Sequence, residues 1–598
     1  MKNKKTITDY YGKLKGILII LSIFAAVKML FFAFGLDEEY QLVVAYRNVK
    51  GDRLFLDMWE PHQSSAFLCS LLMRPYLALV GETGIVLWLR FCGTLIHLGI
   101  SIYLYHVLRG MMKKDSAFLV GMIYFNTIPK QIMLPEFGIM QVWFLTLLSL
   151  FLIQYYDNSV RNRKYLIFAA FALVLEVLSY PSCLILYFVV IWIIRKRSGK
   201  QWLVDVGILT GICALCGIAY LASLLRYNTI EGLLYTLSCI VNSDITHSLS
   251  VTDKLFTFGK SMLEILLFCL GIFLLAKAGT AFTVYGRRKK GLETEKKDQF
   301  FLWSIWVTVF SCLLELLYWV VFNAGYERMQ VHLAVFAVLG VSFVARDKRL
   351  AKEAGYRTRI GILFDSIVLA GAAMLAVIYL TDLGVMDSIP HAMSGAIFGI
   401  TLVIICWEEN ASDVEKETAG KDVSKGKYRT TGLSIVLFIW CFTAVFGKGY
   451  TLRSGTGYNN VLQSAGILKY GPAVGTISDY MCSYVYNCDY EDWQSMVQDG
   501  DRVLIMVEQV MNLGTIQYLF KDVEISHYSI VNPTAYDERL LQYWEMFPEK
   551  VPNVIIVDDW YGQLMTDPDG WLIQYAENEF GYTTKEEGRY IRVYRKDR

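Results

Sequence analysis

The stretch GILIILSIFAAVKMLFFAFG, residues 16–35, followed by Leu36-Asp37-Glu38-Glu39-Tyr40-Gln41, decides the fold. A helix of that length and apolarity crosses the hydrocarbon of a bilayer. Lys2, Lys4, Lys5, Lys13 and Lys15 precede it, which predicts a cytoplasmic N-terminus. The run lacks a convincing small-residue cleavage site after it and reads as an uncleaved anchor. The acidic triplet then emerges at the outer lip of the membrane. It is either a solvated boundary or a functional group, since carboxylates beside hydrocarbon have shifted proton affinities that suit bases and metal ligands.

Composition agrees with a membrane protein. Of 598 residues, 55% are hydrophobic and only 19% charged, too apolar for a soluble chain of this size. The formal net charge of +2 gives no electrostatic footprint for a nucleic-acid partner. Most of the 12 cysteines stand singly in apolar runs, such as Cys213, Cys216 and Cys269, where they act as small apolar residues.

Working outward, thirteen spans are predicted near 16–35, 84–108, 116–129, 137–156, 165–180, 181–195, 203–225, 260–279, 300–322, 330–345, 360–380, 392–407 and 431–447. The apolar run from Tyr165 to Ile194 has basic residues at both ends, Arg161–Lys164 and Arg195–Arg197. Keeping both ends inside requires two short helices that turn near Tyr180-Pro181-Ser182. The basic loops Arg109–Lys114, Arg287–Lys297, Arg346–Arg359 and Lys416–Arg429 then all fall on the cytoplasmic side, and the C-terminus falls outside. The expected fold is a polytopic helical membrane domain over 1–447, with interfacial helices in the first outer loop (36–83). A C-terminal extracytoplasmic α/β domain follows over 448–598. In that tail, Arg502–Val507, Val551–Val557 and Tyr590–Tyr594 read as strands, and Asp537–Phe547 as an amphipathic helix.

The first outer loop carries the densest chemistry. Leu42, Val43, Val44, Ala45 and Val49 form one face of a short interfacial helix. A second interfacial helix over Ser64–Leu79 turns Phe67, Leu68, Leu71, Leu72 and Leu77 to lipid. Between them, Asp57-Met58-Trp59-Glu60-Pro61-His62 sets two carboxylates and an imidazole at the bilayer surface. Glu60 and His62 are of types that bind a divalent metal.

An acidic pair just after a cytoplasm-entered first span resembles the GT-C superfamily of polytopic membrane glycosyltransferases. So do two interfacial helices in the first outer loop, about a dozen spans and an outward soluble tail. The nearest in style are the protein O-mannosyltransferases and the lipid A aminoarabinose transferases of bacteria. Asp37-Glu38 match the Asp-Glu pair of the O-mannosyltransferases. The segment Gly51–Asp57 looks like the family's stretch leading into the second interfacial helix. Pro135-Glu136 looks like the site of a second acid, and Tyr326-Glu327-Arg328 like an arginine-tyrosine element, here in a different order.

The resemblance implies transfer of a sugar from a polyprenyl-phosphate donor to an extracytoplasmic glycan, lipid or protein. Asp37 would be the general base, with Glu38 as its alternate and Glu136 as a second acid. Asp57, Glu60 and His62 are candidate substrate-binding residues. Lys130 and Arg328 sit at outer boundaries, either holding the donor phosphate or snorkelling as ordinary boundary cations. No cofactor is required by such chemistry; a divalent metal on Glu60 and His62 stays open. The alternatives are a transporter or flippase, or a polymerase or ligase, for lipid-linked glycans. In the tail, Cys482 and Cys488 are either a disulfide or two thiols, and Asp558-Asp559-Trp560-Tyr561 is either a loop cap or a sugar contact.

Overall fold

The computed structural model describes residues 2–157, 161–243, 250–291, 294, 296–323, 331–346, 354–380, 388–417, 423–452, 459–506, 514–530, 538–558 and 571–596. A helix occupies each of the thirteen predicted spans. In order these are α1 (Lys2–Phe31), α4 (Ile85–Leu108), α5 (Lys114–Asn126), α6 (Phe137–Asp157), α7 (Arg163–Ser179), α8 (Leu186–Arg197) and α9 (Trp202–Leu224). Then come α11 (Val251–Lys289), α12 (Lys296–Val321), α13 (Val331–Arg346), α14 (Ala354–Leu380), α15 (Met393–Glu417) and α16 (Val423–Tyr450). Among the described residues, nine helices are long and apolar enough to cross a membrane; α5, α7, α8 and α13 are shorter. The turn between α7 and α8 falls at Tyr180, followed by a one-turn 3-10 helix over Pro181–Ile185. Proline there supplies the fixed φ of a helix start and cannot continue α7.

Burial ranks the helices. The apolar window of α6 is 83% buried and that of Ile389–Glu409, mostly α15, is 94% buried, so they form the centre. Helix α9 is only 11% buried and presents its apolar surface outward, as a lipid-facing helix does. Between α1 and α4 lie α2 (Leu36–Lys50) and α3 (Ala66–Leu79).

Helix α2 departs from expectation. Leu42, Val43, Val44 and Ala45 are fully buried rather than facing lipid. Helix α3 packs along α2, and the one-turn helix Thr515–Leu519 of the C-terminal domain packs against it as well. Helix α3 keeps more of the predicted character: Leu71 is exposed, while Phe67, Leu68, Leu72 and Leu77 are partly buried. Helix α10 (Ile230–Ser243) was not anticipated; its Tyr235 ring meets Trp59 edge-on at 5.9 Å.

The tail begins with a two-stranded ribbon, β1 (Gly466–Ile467) and β2 (Ile477–Ser478), and helix α17 (Tyr480–Met496). A five-stranded sheet follows: β3 (Arg502–Met506), β4 (Glu524–Ile525), β5 (Val554–Asp558), β6 (Tyr582–Glu587) and β7 (Ile591–Lys596), in the order β4-β3-β5-β7-β6. Strands β4, β3 and β5 are parallel, and β7 and β6 close the edge antiparallel. Helix α18 (Glu538–Met546) lies between β4 and β5 in the chain, as parallel pairing requires. Helix α19 (Trp571–Glu579) precedes β6. Cys482 and Cys488 both lie on α17 as free thiols, so the disulfide alternative is corrected. Six residues of helix turn the two side chains well apart, which prevents bridging.

Candidate functional site at the first loop

The three acids after the first span sit in the first turn of α2, where carboxylates favour the positive end of the helix. Consecutive helical residues point about 100° apart. The triplet therefore faces three different partners. Asp37 Oδ2 lies 3.0 Å from Lys130 Nζ. Glu38 takes Arg90 in a two-point clamp, Nε to Oε1 at 2.9 Å and Nη2 to Oε2 at 2.6 Å. Glu39 Oε1 accepts the Ile516 amide of the C-terminal domain at 3.0 Å.

Exposure separates their capacities. The side chains of Asp37 and Lys130 retain 16% and 12% of their surface, whereas those of Glu38 and Arg90 retain 5% and 3%. The first pair is the more exposed of the two. The second is a structural clasp: Arg90 also donates to the Leu30 carbonyl at 2.9 Å and to that of Ala33, closing the C-terminal end of α1. A cation on those last carbonyls also complements the helix dipole. Sequence reasoning missed Arg90, although a guanidinium inside an apolar helix is a signal in itself.

The short loop before α6 is built to hold Lys130. Lys130 and Gln131 both have left-handed backbones, φ 55° and 54°. Such conformations cost a non-glycine residue about 1–2 kcal/mol each and persist where surroundings impose them. Here the Gln131 side chain imposes them. It accepts from Lys28 Nζ at 2.8 Å and donates to the Gly447 carbonyl at 3.0 Å and Thr451 Oγ1 at 2.8 Å, joining α1, the loop and α16. Gly93 of α4 lets the loop settle, since a Cβ there would lie 1.6 Å from the Met133 carbonyl oxygen.

Glu136 is fully buried and caps α6. Its oxygens accept the Gly138 and Ile139 amides, each at 2.7 Å. A Cβ on Gly138 would fall 2.8 Å from Glu136 Oε1 and 3.1 Å from Lys130 Nζ, so both charged groups converge on the bare backbone of that glycine. Phe137 forms the floor: Lys130 Nζ stands 4.7 Å from its ring centre. His62 stacks on the Phe137 ring at 4.3 Å, with planes 4° apart, and also meets Tyr180 at 4.8 Å. Behind lies a buried polar row that sequence reasoning did not assemble. His391 Nδ1 and Gln141 Oε1 are 3.0 Å apart, and Gln141 Nε2 donates to Glu176 Oε1 at 2.8 Å.

The remaining candidates of the loop go elsewhere. Arg53 grips Asp57 through Nε at 2.7 Å, Nη2 at 2.8 Å and its own amide at 2.7 Å, which shapes the turn 53–57. The hydrogen bond to Asp57 holds the Arg53 guanidinium above its usual proton affinity. Glu60 is fully buried against the C-terminal domain: Ser529 Oγ donates to Oε2 at 3.0 Å, the Ile530 amide donates to Oε1, and Arg47 Nη1 lies 3.8 Å away. A carboxylate filled by those donors does not fit a metal, and among the described residues no three His, Cys, Asp or Glu group as ligands. Arg328 lies outside the described residues, with Tyr326 and Glu327; so do Asp559, Trp560 and Tyr561, beyond Asp558 at the end of β5.

No family model matches the sequence, and no curated protein matches it. Among solved structures the chain is similar to the oligosaccharyltransferase AglB of Archaeoglobus fulgidus in complex with an inhibitory peptide and a dolichol-phosphate, at 12% identity and TM-score 0.46. That match covers 91% of this chain and 69% of that one. A second structure of the Archaeoglobus enzyme, with Zn and sulfate, gives 12% identity and TM-score 0.45 over 91% and 68%. ArnT of Cupriavidus metallidurans bound to undecaprenyl phosphate gives 12% identity and TM-score 0.43, covering 98% of both chains.

Proposed function

We propose that this protein is a multi-pass membrane glycosyltransferase that moves a sugar from a polyprenyl-phosphate donor to an extracytoplasmic acceptor, with Asp37 as general base. The observation that carries the reading is the mostly buried Asp37–Lys130 pair, 3.0 Å apart at the end of the first span and more exposed than the neighbouring Glu38–Arg90 clasp. It offers a carboxylate and an ammonium to one reactant, at the depth where a lipid-linked phosphate lies.

The chemistry needs both groups. The acceptor O–H loses its proton to Asp37 Oδ2 as its oxygen bonds to the anomeric carbon. The bond from that carbon to the phosphate oxygen breaks, and the lipid phosphate leaves with the electron pair. Lys130 moves from Asp37 to the developing phosphate charge, which both stabilises the leaving group and raises the basicity of the carboxylate it leaves. Glu136 holds Lys130 within reach by drawing it to the Gly138 backbone. Glu38 is a positioning residue that acts through Arg90 on the first turn of α2. Asp57 and Glu60 shape and dock the loop, and His62 with Phe137 and Tyr180 supplies an aromatic wall for a sugar ring.

The C-terminal domain stands on the same end of the bundle as Asp37, through Glu39–Ile516 and Glu60–Ser529. The clustering of the basic loops at the other end supports reading this end as extracytoplasmic. The test is transfer by purified protein in vesicles, with a lipid-phosphate sugar donor and an Asp37→Asn comparison. Equal transfer by the two would remove the base assignment.

A further inference from the structure

The other end of α6 carries a second site. Its 21 residues rise about 1.5 Å each, so Asp157 lies about 30 Å from Phe137, across the thickness of a bilayer. There the C-terminal ends of α6 and α8 and the first turns of α14 border an open-sided cavity of about 1170 Å³. Five cations line it: Arg161, Lys196, Arg197, Arg357 and Arg359. The lining acids are Asp157 and Glu409, and the buried Asp205 and Asp365 lie behind them, so positive charge exceeds negative on either reckoning.

The cations are arranged by built contacts. Asp365, fully buried, takes Lys196 at 2.8 Å and also pairs with Arg197. Arg359 meets Asp157 at 2.7 Å. Arg161 donates to the backbone carbonyls of Ser198 at 3.1 Å and Arg197 at 2.8 Å, and rests on the Tyr156 ring at 5.4 Å. Gly361 makes room for the Arg197 fork, since a Cβ there would lie 2.5 Å from Nη2. Val344, Ile360 and Phe364 give the same cavity an apolar wall. Trp192 lies 4.7 Å under Lys196, and Trp202 lies 5.8 Å under Arg195, as aromatics do at the headgroup level.

We propose that this cavity binds the phosphate headgroup of an anionic phospholipid from the leaflet opposite the Asp37 site. Cations over an apolar wall, at headgroup depth, fit an amphiphile whose phosphate meets the arginines while its chains follow the helices. The proposal does not depend on the transfer reaction.

Native mass spectrometry of the full chain, offered phosphatidylglycerol and phosphatidylcholine of matched chains, tests it. Phosphatidylglycerol should be retained in preference. Arg357→Gln and Lys196→Gln should each lower that preference about fivefold, the worth of one cation near a lipid surface. Lys196→Gln leaves Arg197 on Asp365, and an unchanged melting temperature in phosphatidylcholine shows that each variant folds. Lys290→Gln, outside the cavity, should leave the preference intact. Equal retention of the two lipids, or an equal loss with Lys290→Gln, overturns the site. Inorganic phosphate that displaces the lipid completely, and raises the melting temperature without lipid, assigns the cavity to a soluble phosphate and overturns the lipid reading.

Discussion

Ser529 of the C-terminal domain donates its hydroxyl to Glu60 of the first loop at 3.0 Å, across 469 residues of chain. Around that bond the Ile530 amide and Arg47 also face the Glu60 carboxylate, and Trp59 lies at 4.9 Å from the Tyr528 ring and 5.5 Å from that of Tyr543. Glu60→Ala leaves the buried Ile530 amide and Ser529 hydroxyl without their acceptor, while Arg47 keeps Asp52 at 2.7 Å, an effect worth about 1–3 kcal/mol per orphaned donor. The expected result is a lower melting temperature and faster proteolysis within 459–596. Unchanged melting and proteolysis would show that the domain is held without this contact.

Asp37 and Glu38 should fail in different ways. Asp37→Asn keeps the shape and removes the base, so turnover should fall about a hundredfold to ten-thousandfold in a transfer assay. Donor binding should hold or tighten, since Lys130 loses its competitor. Glu38→Gln should instead lower stability, because the clamp on Arg90 weakens, while turnover per folded molecule falls far less. The reverse ranking in turnover would exchange their roles. Normal transfer by the double variant would favour a transporter.

Lys130→Ala should weaken donor binding about tenfold to a hundredfold, the worth of a charge-assisted hydrogen bond of about 1.5–3 kcal/mol. Gly138→Ala places a methyl 3.1 Å from Lys130 Nζ and 2.8 Å from Glu136 Oε1, and should reproduce part of that loss without removing any charge. Titration of each variant with a lipid-phosphate donor reads both effects. Wild-type affinity in Gly138→Ala would separate Glu136 and Lys130 from the donor.

Orientation is open to chemical labelling. Leu462 is 80% exposed, and in a Cys482→Ser background Leu462→Cys should react with an impermeant maleimide in intact cells. Reaction only after lysis would turn the whole bundle over. Native Cys482 should label slowly: burial, then its contact with Asp479, pushes the thiol's proton affinity up. The reactive thiolate is scarce at neutral pH, so its labelling rate should climb as the medium becomes more alkaline.

The helices were legible because apolar run length is itself the physical requirement for crossing a bilayer. The basic flanks even divided Tyr165–Ile194 correctly into two helices. Strands β3, β5 and β7 were legible from short apolar runs bounded by polar residues. The burial of Leu42–Ala45 was not, because an apolar face reads the same whether lipid or a docked domain covers it. Nor was the fate of Glu60 legible, since its partners Ser529 and Ile530 lie in a distant part of the chain. Gln131 and Gln141 carry no charge and follow no period, yet they fix the loop and the buried row behind it.

The fan of Asp37, Glu38 and Glu39 has a consequence for how this chain can vary. The turn Phe32–Gly35 sets the rotational phase at which α2 starts. Adding or deleting one residue there would swing every side chain of α2 by about 100°. A deletion would index Glu38 onto Lys130, Glu39 onto Arg90 and Tyr40 onto the Ile516 amide, and an insertion would set Leu36 opposite Lys130, so each partner would meet a side chain of the wrong length or charge. That connection therefore tolerates changes of residue more readily than changes of length, and a single-codon deletion within it is a harsher lesion than most substitutions in the helix it precedes.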